Sequence, residues 1–590
     1  MVAWRGQMPP VRKESGMSRR LLEKAQRRLA VESGLQSNAW GGRLAVALVY
    51  PNVYHQAMSN LGYHTVYELL NRREDTLCER FFLPDREDLD EHRKTGYPLF
   101  SLESKRFLDE FDLIAFSISF ENDYLNLPVF FELAHLPLMA EERGGAYPLV
   151  LCGGVCAFLN PEPLAGIMDL FAIGEAEPLL PPLIDYLNES SEGRADVLTG
   201  LSKLPGVYVP SGYRVDYRED GRVAAYIPDP GVPERVERQW VRRLDDTSSR
   251  SCVYTEDTEF KDMALVEISR GCARKCRFCA AGFIYLPPRE RSLQALEDEL
   301  DDGLEHRQRI GLVSPAVADH DEIGAISRKI LNSGGQISVA SLRIDSLTTR
   351  DVKAMAKSGH RTVAIAPEAG SQRLRNLINK GLDESQILSA VQLIADEDIP
   401  NLKLYFLIGL PTEKAEDVEA LLELVRKIRT VWLEAGRRRG RLGNLTLSVN
   451  PFIPKPFTPL QWAAMESISA LKKKVQYLKR QVGRMANTNV TCESLKAAEL
   501  QALLSRGDRR TGRLLPHLAE GVGLTAACRR EGLEKDFYLT RERDEDEILP
   551  WEIIDQGVSR TFLWSEYRRG LAGDLTPPCG SGCHRCGICT

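Results

Sequence analysis

Short apolar runs alternate with longer stretches of helical period through the first 200 positions. The runs fall at residues 44–50, 113–120, 149–152 and 170–173, and the helical stretches at 63–71, 124–142 and 177–187. Strand-type runs alternating with helical ones are the pattern of βαβ units and a parallel sheet. An open, doubly wound (Rossmann-like) α/β domain is therefore expected, with a ligand crevice at the carboxyl ends of its strands. A second alternation begins at Met263, with strands expected near 265–269, 310–314, 337–342, 362–366, 402–407 and 445–449; six βα units fit it. Residues 206–228 read as a hairpin turning at Asp220 and Gly221, and the charged stretch 229–260 as a connection between domains. The boundaries that follow are 1–40 for a leading helical segment (helical from Met17 to Val31), 41–200 for the first α/β domain and 201–260 for hairpin and linker. A second core spans 261–460, a helical and mixed α+β region 461–570 (strongly helical over 461–487), and a cysteine tail 571–590.

Composition narrows the picture without naming a partner. At 590 residues the chain is long enough for several cores. It is 43% hydrophobic and 27% charged with a formal net charge of -6, so nothing global suggests nucleic-acid affinity. The apolar stretches are too short to span a membrane, and no secretory leader is read at the N-terminus, so a cytoplasmic location is expected. In a reducing cytoplasm, clustered cysteines among the 13 present point to metal more often than to disulfides.

Two clusters stand out. Cys272, Cys276 and Cys279 are spaced CxxxCxxC directly after an apolar run, with Phe278 just before the last thiol. Such a loop aims three thiolates at three irons of a cubane and leaves the fourth open, whereas closed structural zinc needs a fourth ligand that is not nearby. Cys579, Cys583, Cys586 and Cys589 form CxxxCxxCxxC interleaved with Gly580, Gly582 and Gly587. Four thiolates this dense suit a second iron-sulfur cluster, a structural zinc or a redox disulfide pair, and they need nothing from the rest of the chain to close a site. The thiols at Cys78, Cys156, Cys252, Cys492 and Cys528 read as small buried apolar groups, and Cys152 as packing or crevice lining.

The first cysteine loop resembles that of the radical S-adenosylmethionine (SAM) superfamily. The resemblance implies a partial (βα)6 TIM barrel holding a [4Fe-4S] cluster, SAM chelated at the open iron, and reductive cleavage of SAM to start radical chemistry. It also implies SAM contacts at later strand ends. Ser341, Arg343 and Asp345 follow the third strand, Glu368 the fourth, and Gly409 and Pro411 the fifth. Glu368 and Arg343 are expected on the ribose hydroxyls or the amino-acid moiety, unless Arg343 and Asp345 are simply a salt bridge. Many members carry Gly-Gly-Glu after the second strand; this chain has Val-Ser-Pro-Ala-Val at 313–317, leaving Ser314 as a substitute.

The first α/β domain resembles the cobalamin-binding domain fused to many such enzymes, on the strand-end residues Ser117, Gly153, Gly154 and Gly174. Glycine there would let a cofactor approach the backbone. The loop that supplies a cobalt-ligating histidine in mutases is not matched: His55 lacks the flanking Asp and Gly, and reads as a surface histidine. Taken together, the chain resembles an uncharacterised family of cobalamin-domain radical SAM proteins. That implies an oxygen-sensitive enzyme acting on a small molecule or RNA and fed by a reductant such as flavodoxin or ferredoxin. The alternatives are a methylthiotransferase-like tRNA modifier and a non-catalytic metal- or cofactor-binding regulator. Lys455 and Thr458, in the Pro-rich stretch 450–459, are either substrate-facing or part of a rigid connector. The arginine run at 437–441 is either a phosphate contact or a solvated turn.

Overall fold

The computed structural model describes residues 18–589 except 340–342, 358, 398, 441 and 581. The chain forms two compact units. One is Met1–Leu265 with Leu504–Lys535 and Asp546–Gly557; the other is Val266–Leu503 with Asp536–Glu545 and Val558–Thr590. The stretch 461–570 is thus divided between them. Among the described residues no helix is long and apolar enough to cross a membrane.

The first unit is built on six strands: β1 (Leu44–Tyr50), β2 (Thr76–Phe82), β3 (Leu113–Ser117), β4 (Leu149–Gly153), β5 (Leu170–Ala172) and β6 (Val207–Tyr208). Their order is β2-β1-β3-β4-β5-β6, parallel except for β6 against β5. The order reverses between β1 and β3, which makes that gap the switch point of the sheet. All seven residues of β1 are buried, as its unbroken apolar run requires. β2 gives no such run because Glu79 and Arg80 interrupt it. Both are nonetheless buried: Arg80 pairs with Glu32 and Glu103 at 2.6 Å each, and Glu79 accepts from Trp40 Nε1 at 2.7 Å.

Two expectations need correction in this unit. The helix expected over 124–142 is only Asn126–Ala134, ended by His135 at φ 56°. The stretch 229–260 is no free connection. Val236–Glu237 pairs in parallel with Ile554–Asp555, and Val253–Tyr254 pairs antiparallel with Ser33–Gly34. The hairpin is present as Tyr213–Tyr217 against Val223–Pro228.

The second unit holds every strand expected of it. β7 (Met263–Glu267), β8 (Arg309–Val313) and β9 (Gln336–Val339) form one sheet in that order. β10 (Thr362–Glu368), β11 (Asn401–Ile408), β12 (Asn444–Pro451) and β13 (Thr488–Thr491) form a second, all parallel. β13 escapes sequence reading because Thr-Asn-Val-Thr has no apolar run; its pairing with β12 supplies what propensity lacks. Of the arginine run at 437–441, Arg437 and Arg438 lie in the last turn of the helix Ala415–Arg438, where cations suit the orphan carbonyls, and Arg438 pairs with Asp396 at 2.9 Å; residue 441 lies outside the described residues.

Candidate functional site

The loop after β7 has a fixed backbone. Gly271 sits at φ 85°, and a Cβ there would lie 2.4 Å from Tyr285 O, so only glycine fits. Ala281 and Gly282 N–H groups, at the start of the turn Ala281–Ile284, act on the Cys279 thiol. Burial and the neighbouring thiols still hold that thiol up, at about 11. Burial likewise raises Cys276, opposed by Lys380 and Arg343. Cys272, Cys276 and Cys279 are half-buried and near enough to influence one another electrostatically. Among the described residues no three His, Cys, Asp or Glu side chains converge as they would on a single ion. A cubane asks for wider spacing, since each thiolate takes a different iron. Phe278 is half-buried beside the last thiol.

Strand ends bring charge to this loop. Glu368 closes β10 at φ 64°, where the register with β11 shifts. A non-glycine residue held there costs about 1–3 kcal/mol, and such strain is tolerated mostly at functional positions. Its carboxylate is 3.2 Å from Lys380 Nζ, and Glu368, Lys380 and Arg343 all act on the Cys276 thiol. Arg343 Nη2 pairs with Asp345 at 2.8 Å, and Arg274 of the cysteine loop joins Asp345 at 3.0 Å and Asp319 at 2.6 Å. Arg343 and Asp345 are thus a salt bridge, and the same network ties the loop to the segments that follow β8 and β9.

The remaining positions separate. Ser314 Oγ lies 2.6 Å from Ser269 Oγ and accepts from Ala316 N, so its hydroxyl is committed to the turn. Gly409, at φ 76°, donates its N–H to Glu413, whose carboxylate is held 2.6 Å from Lys474; a Cβ on Gly409 would crowd Leu471 and Glu466. Pro411 is half-buried in the same turn. Ser341 lies outside the described residues. Thr458 is fully buried with its hydroxyl donated to Lys455 O, so this stretch is a connector at Thr458 rather than a substrate-facing surface. Cys492, unlike the other scattered thiols, is only half-buried.

In the first unit the strand-end glycines have a different reason from the one expected. Gly154 is at φ 93° with Ile118 O 2.5 Å from its would-be Cβ, and Gly174 is at φ 130° with Gln239 O at 2.0 Å. The chain's own backbone makes the close approach: Glu175 N donates to Gln239 O and Gln239 N to Ile173 O. A Cβ on Gly153, paired in register with Ser117, would meet only Ala172 Cβ at 3.9 Å, so the room is there.

Sequence reading missed the polar set at the switch point. Asn52 donates to Asp123 at 2.8 Å, and Asn60 to Ser119 at 3.1 Å. Burial pushes the Asp123 carboxyl up to about 6. No spacing signals this set, because its members come from separate βα turns. His55 Nδ1 is 2.9 Å from Asp257 and Nε2 3.4 Å from Glu259, a paired surface imidazole.

Comparison with known proteins bears on both units. A model described as radical SAM proteins, N-terminal, matches residues 62–210, and one described as radical SAM superfamily matches 266–425. An uncharacterised protein of Methanocaldococcus jannaschii is 28% identical over 506 residues, 85% of this chain and 97% of the relative. The tRNA-2-methylthio-N(6)-dimethylallyladenosine synthase of Aquifex aeolicus is 25% identical over 30% of this chain and 43% of its own length. Among solved structures, the radical SAM methyltransferase TsrM of Kitasatospora setae, with cobalamin and a [4Fe-4S] cluster bound, aligns with a TM-score of 0.43 at 14% identity, covering 69% of this chain and 72% of that one. The superfamily match contains all three cysteines of the loop, Arg343 and Glu368, whose charges act on it in the fold, and Gly409, and the chain is an enzyme belonging to the radical SAM superfamily.

Proposed function

We propose that Cys272, Cys276 and Cys279 hold a [4Fe-4S] cluster and that the strand ends around it position SAM for radical modification of a small molecule or RNA. The observation that carries this reading is a three-thiol loop tied through Arg274 to Asp345, the partner of Arg343, with Glu368 at φ 64° held 3.2 Å from Lys380. The cluster, once bound with SAM, supplies one-electron cleavage of the sulfonium. The protein's part is placement. Glu368 accepts from the ligand's hydroxyl or ammonium groups while Lys380 holds its carboxylate in the aimed position. Arg343, its guanidinium shared with Asp345, offers its remaining donors to a carboxylate. Arg274, anchored by Asp319 and Asp345, fixes the loop between the first two thiols. Gly409 and Pro411 bring bare backbone to the purine.

The two parallel sheets of the second unit are proposed as parts of a partial (βα)6 barrel, and the first unit as a cobalamin-type domain whose cofactor sits over Ser117 and Gly153 with no imidazole on cobalt. Methyl transfer is then the reaction class. A methylthiotransferase-like reaction on tRNA is the second reading, favoured by the match to the Aquifex aeolicus enzyme and by the terminal thiols as an iron-sulfur or zinc site. Anaerobically reconstituted protein with dithionite should convert SAM to 5′-deoxyadenosine and methionine, read by mass spectrometry. A spectroscopically intact cluster that yields neither product overturns the proposal and leaves the regulator reading.

A further inference from the structure

The terminal cysteines are not independent of the catalytic loop. Cys579 N donates to Ala273 O at 2.7 Å. Asn379 Nδ2 donates to both Lys275 O and Thr576 O, and its Oδ1 accepts from Thr576 N. Arg277 crosses from the loop to Glu566, Asp574 O and Thr576 Oγ1. Since successive Cα atoms are about 3.8 Å apart, the Cα atoms of Cys272 and Cys579 lie within roughly 10 Å of each other. The tail, expected to close a site with its own four thiolates, is thus also bonded to the loop through its backbone and flanking side chains.

A second observation points to what the tail holds. Lys275 is 2% exposed, and its ammonium has no hydrogen-bond partner among the described residues. It lies 5.4 Å from the centre of the Phe283 ring and 5.7 Å from that of Phe562, two faces that cover a cation without neutralising it. A buried charge left without a counter-ion is costly, and buried charges are ordinarily paired. Its own carbonyl and Thr576 O share the Asn379 amide, so the backbone that carries this ammonium is bonded to the segment leading into the tail. Four thiolates on a cubane or a zinc ion leave a net negative charge, the missing partner. The spacing of Cys583, Cys586 and Cys589 is C-x2-C-x2-C, that of a ferredoxin cubane. Arg585 fixes the turn, with Nε 3.2 Å from Cys583 Sγ and Nη2 donating to Pro577 O and Pro578 O.

We propose that Cys579, Cys583, Cys586 and Cys589 hold an iron-sulfur cluster seated on the catalytic loop, with Lys275 as its buried counter-cation and hence a positioning residue shared by both metal sites. This deepens the proposed function and rests on it only for the identity of the loop's own cluster.

The test uses the full chain, reconstituted anaerobically, in the Cys272→Ala/Cys276→Ala/Cys279→Ala background so that only the tail can bind. Iron, sulfide and zinc contents, the EPR spectrum after reduction and a redox titration are the readouts. One cubane is expected, with no response to SAM. Adding Lys275→Met should move its midpoint potential to more negative values, because a nearby cation favours the reduced, more anionic state; Lys275→Arg should restore it. Zinc in place of iron, no metal at all, or a potential unmoved by Lys275→Met overturns the proposal. If Lys275→Met prevents folding by circular dichroism, the metal content of the triple-alanine protein and the Lys275→Arg titration still decide. Failure of a Cys583→Ala/Cys586→Ala protein to show any SAM-responsive cluster would instead count against the proposed function.

Discussion

Glycine and charge at strand ends mean different things in the two units. In the first, Gly154 and Gly174 follow β4 and β5 and look like a cofactor cradle, yet Ile118 and Gln239 backbone fill the space their missing Cβ atoms leave. In the second, the strand ends carry Arg343 and Glu368, whose charges act on the Cys276 thiol. The first pattern serves packing, and the second gathers charge around a thiol. A glycine after a strand is therefore informative only once its neighbours are known, whereas charged groups brought to a buried thiol carry a cost that structure alone does not repay.

The sharpest way to break this contrast is at the thiol. Cys276→Ala should abolish formation of 5′-deoxyadenosine and remove the SAM-responsive cluster signal, while the thermal transition of the first unit stays where it was. On the packing side, Gly174→Ala should destabilise the first unit by about 3 kcal/mol or more, because a Cβ would overlap Gln239 O and φ 130° is closed to alanine. Gly153→Ala should cost under about 0.5 kcal/mol in the same denaturation series. Equal losses at the two positions would contradict the difference drawn between them.

Asp123 offers a pH-dependent check on the switch point. Its folded carboxyl is raised to about 6, above its value in an unfolded chain, so the folded state favours the proton and this group's contribution falls as pH rises from about 4 to 6. Asp123→Asn keeps the acceptor for Asn52 and mimics the protonated form. It should stabilise the first unit by up to about 2–3 kcal/mol at pH 7.5 and leave it unchanged near pH 4, a shift of about two units being worth that much. An equal gain at both pH values would show that burial of the charge is not the cause.

Smaller effects test the ligand contacts. Glu368→Gln should weaken SAM binding to the reconstituted protein about tenfold, or about 1.4 kcal/mol by calorimetry, since it keeps the shape and loses the charge facing Lys380. His55→Ala should leave the spectrum of bound hydroxocobalamin unchanged, because its imidazole is already held by Asp257. A spectral change on that substitution would make His55 the cobalt ligand.

The sequence by itself determined the α/β class and nearly all the core strands, because strands buried on both faces must be apolar throughout, as β1 is. It also singled out the cysteine loop, which the superfamily match contains, because cysteine spacing is local and survives without tertiary information. It did not reveal β2 or β13, whose polar residues are made tolerable by partners distant in sequence: Glu32 and Glu103 for Arg80, and β12 for the Thr-Asn-Val-Thr strand. Tertiary structure alone decided that backbone fills the glycine gaps, that Thr458 is buried, and that Cys579 is bonded to the first cysteine loop. The physical reason is the same in each case: burial and pairing are set by which segments meet, and a residue 306 positions away, as Cys579 is from Ala273, leaves no mark on local spacing.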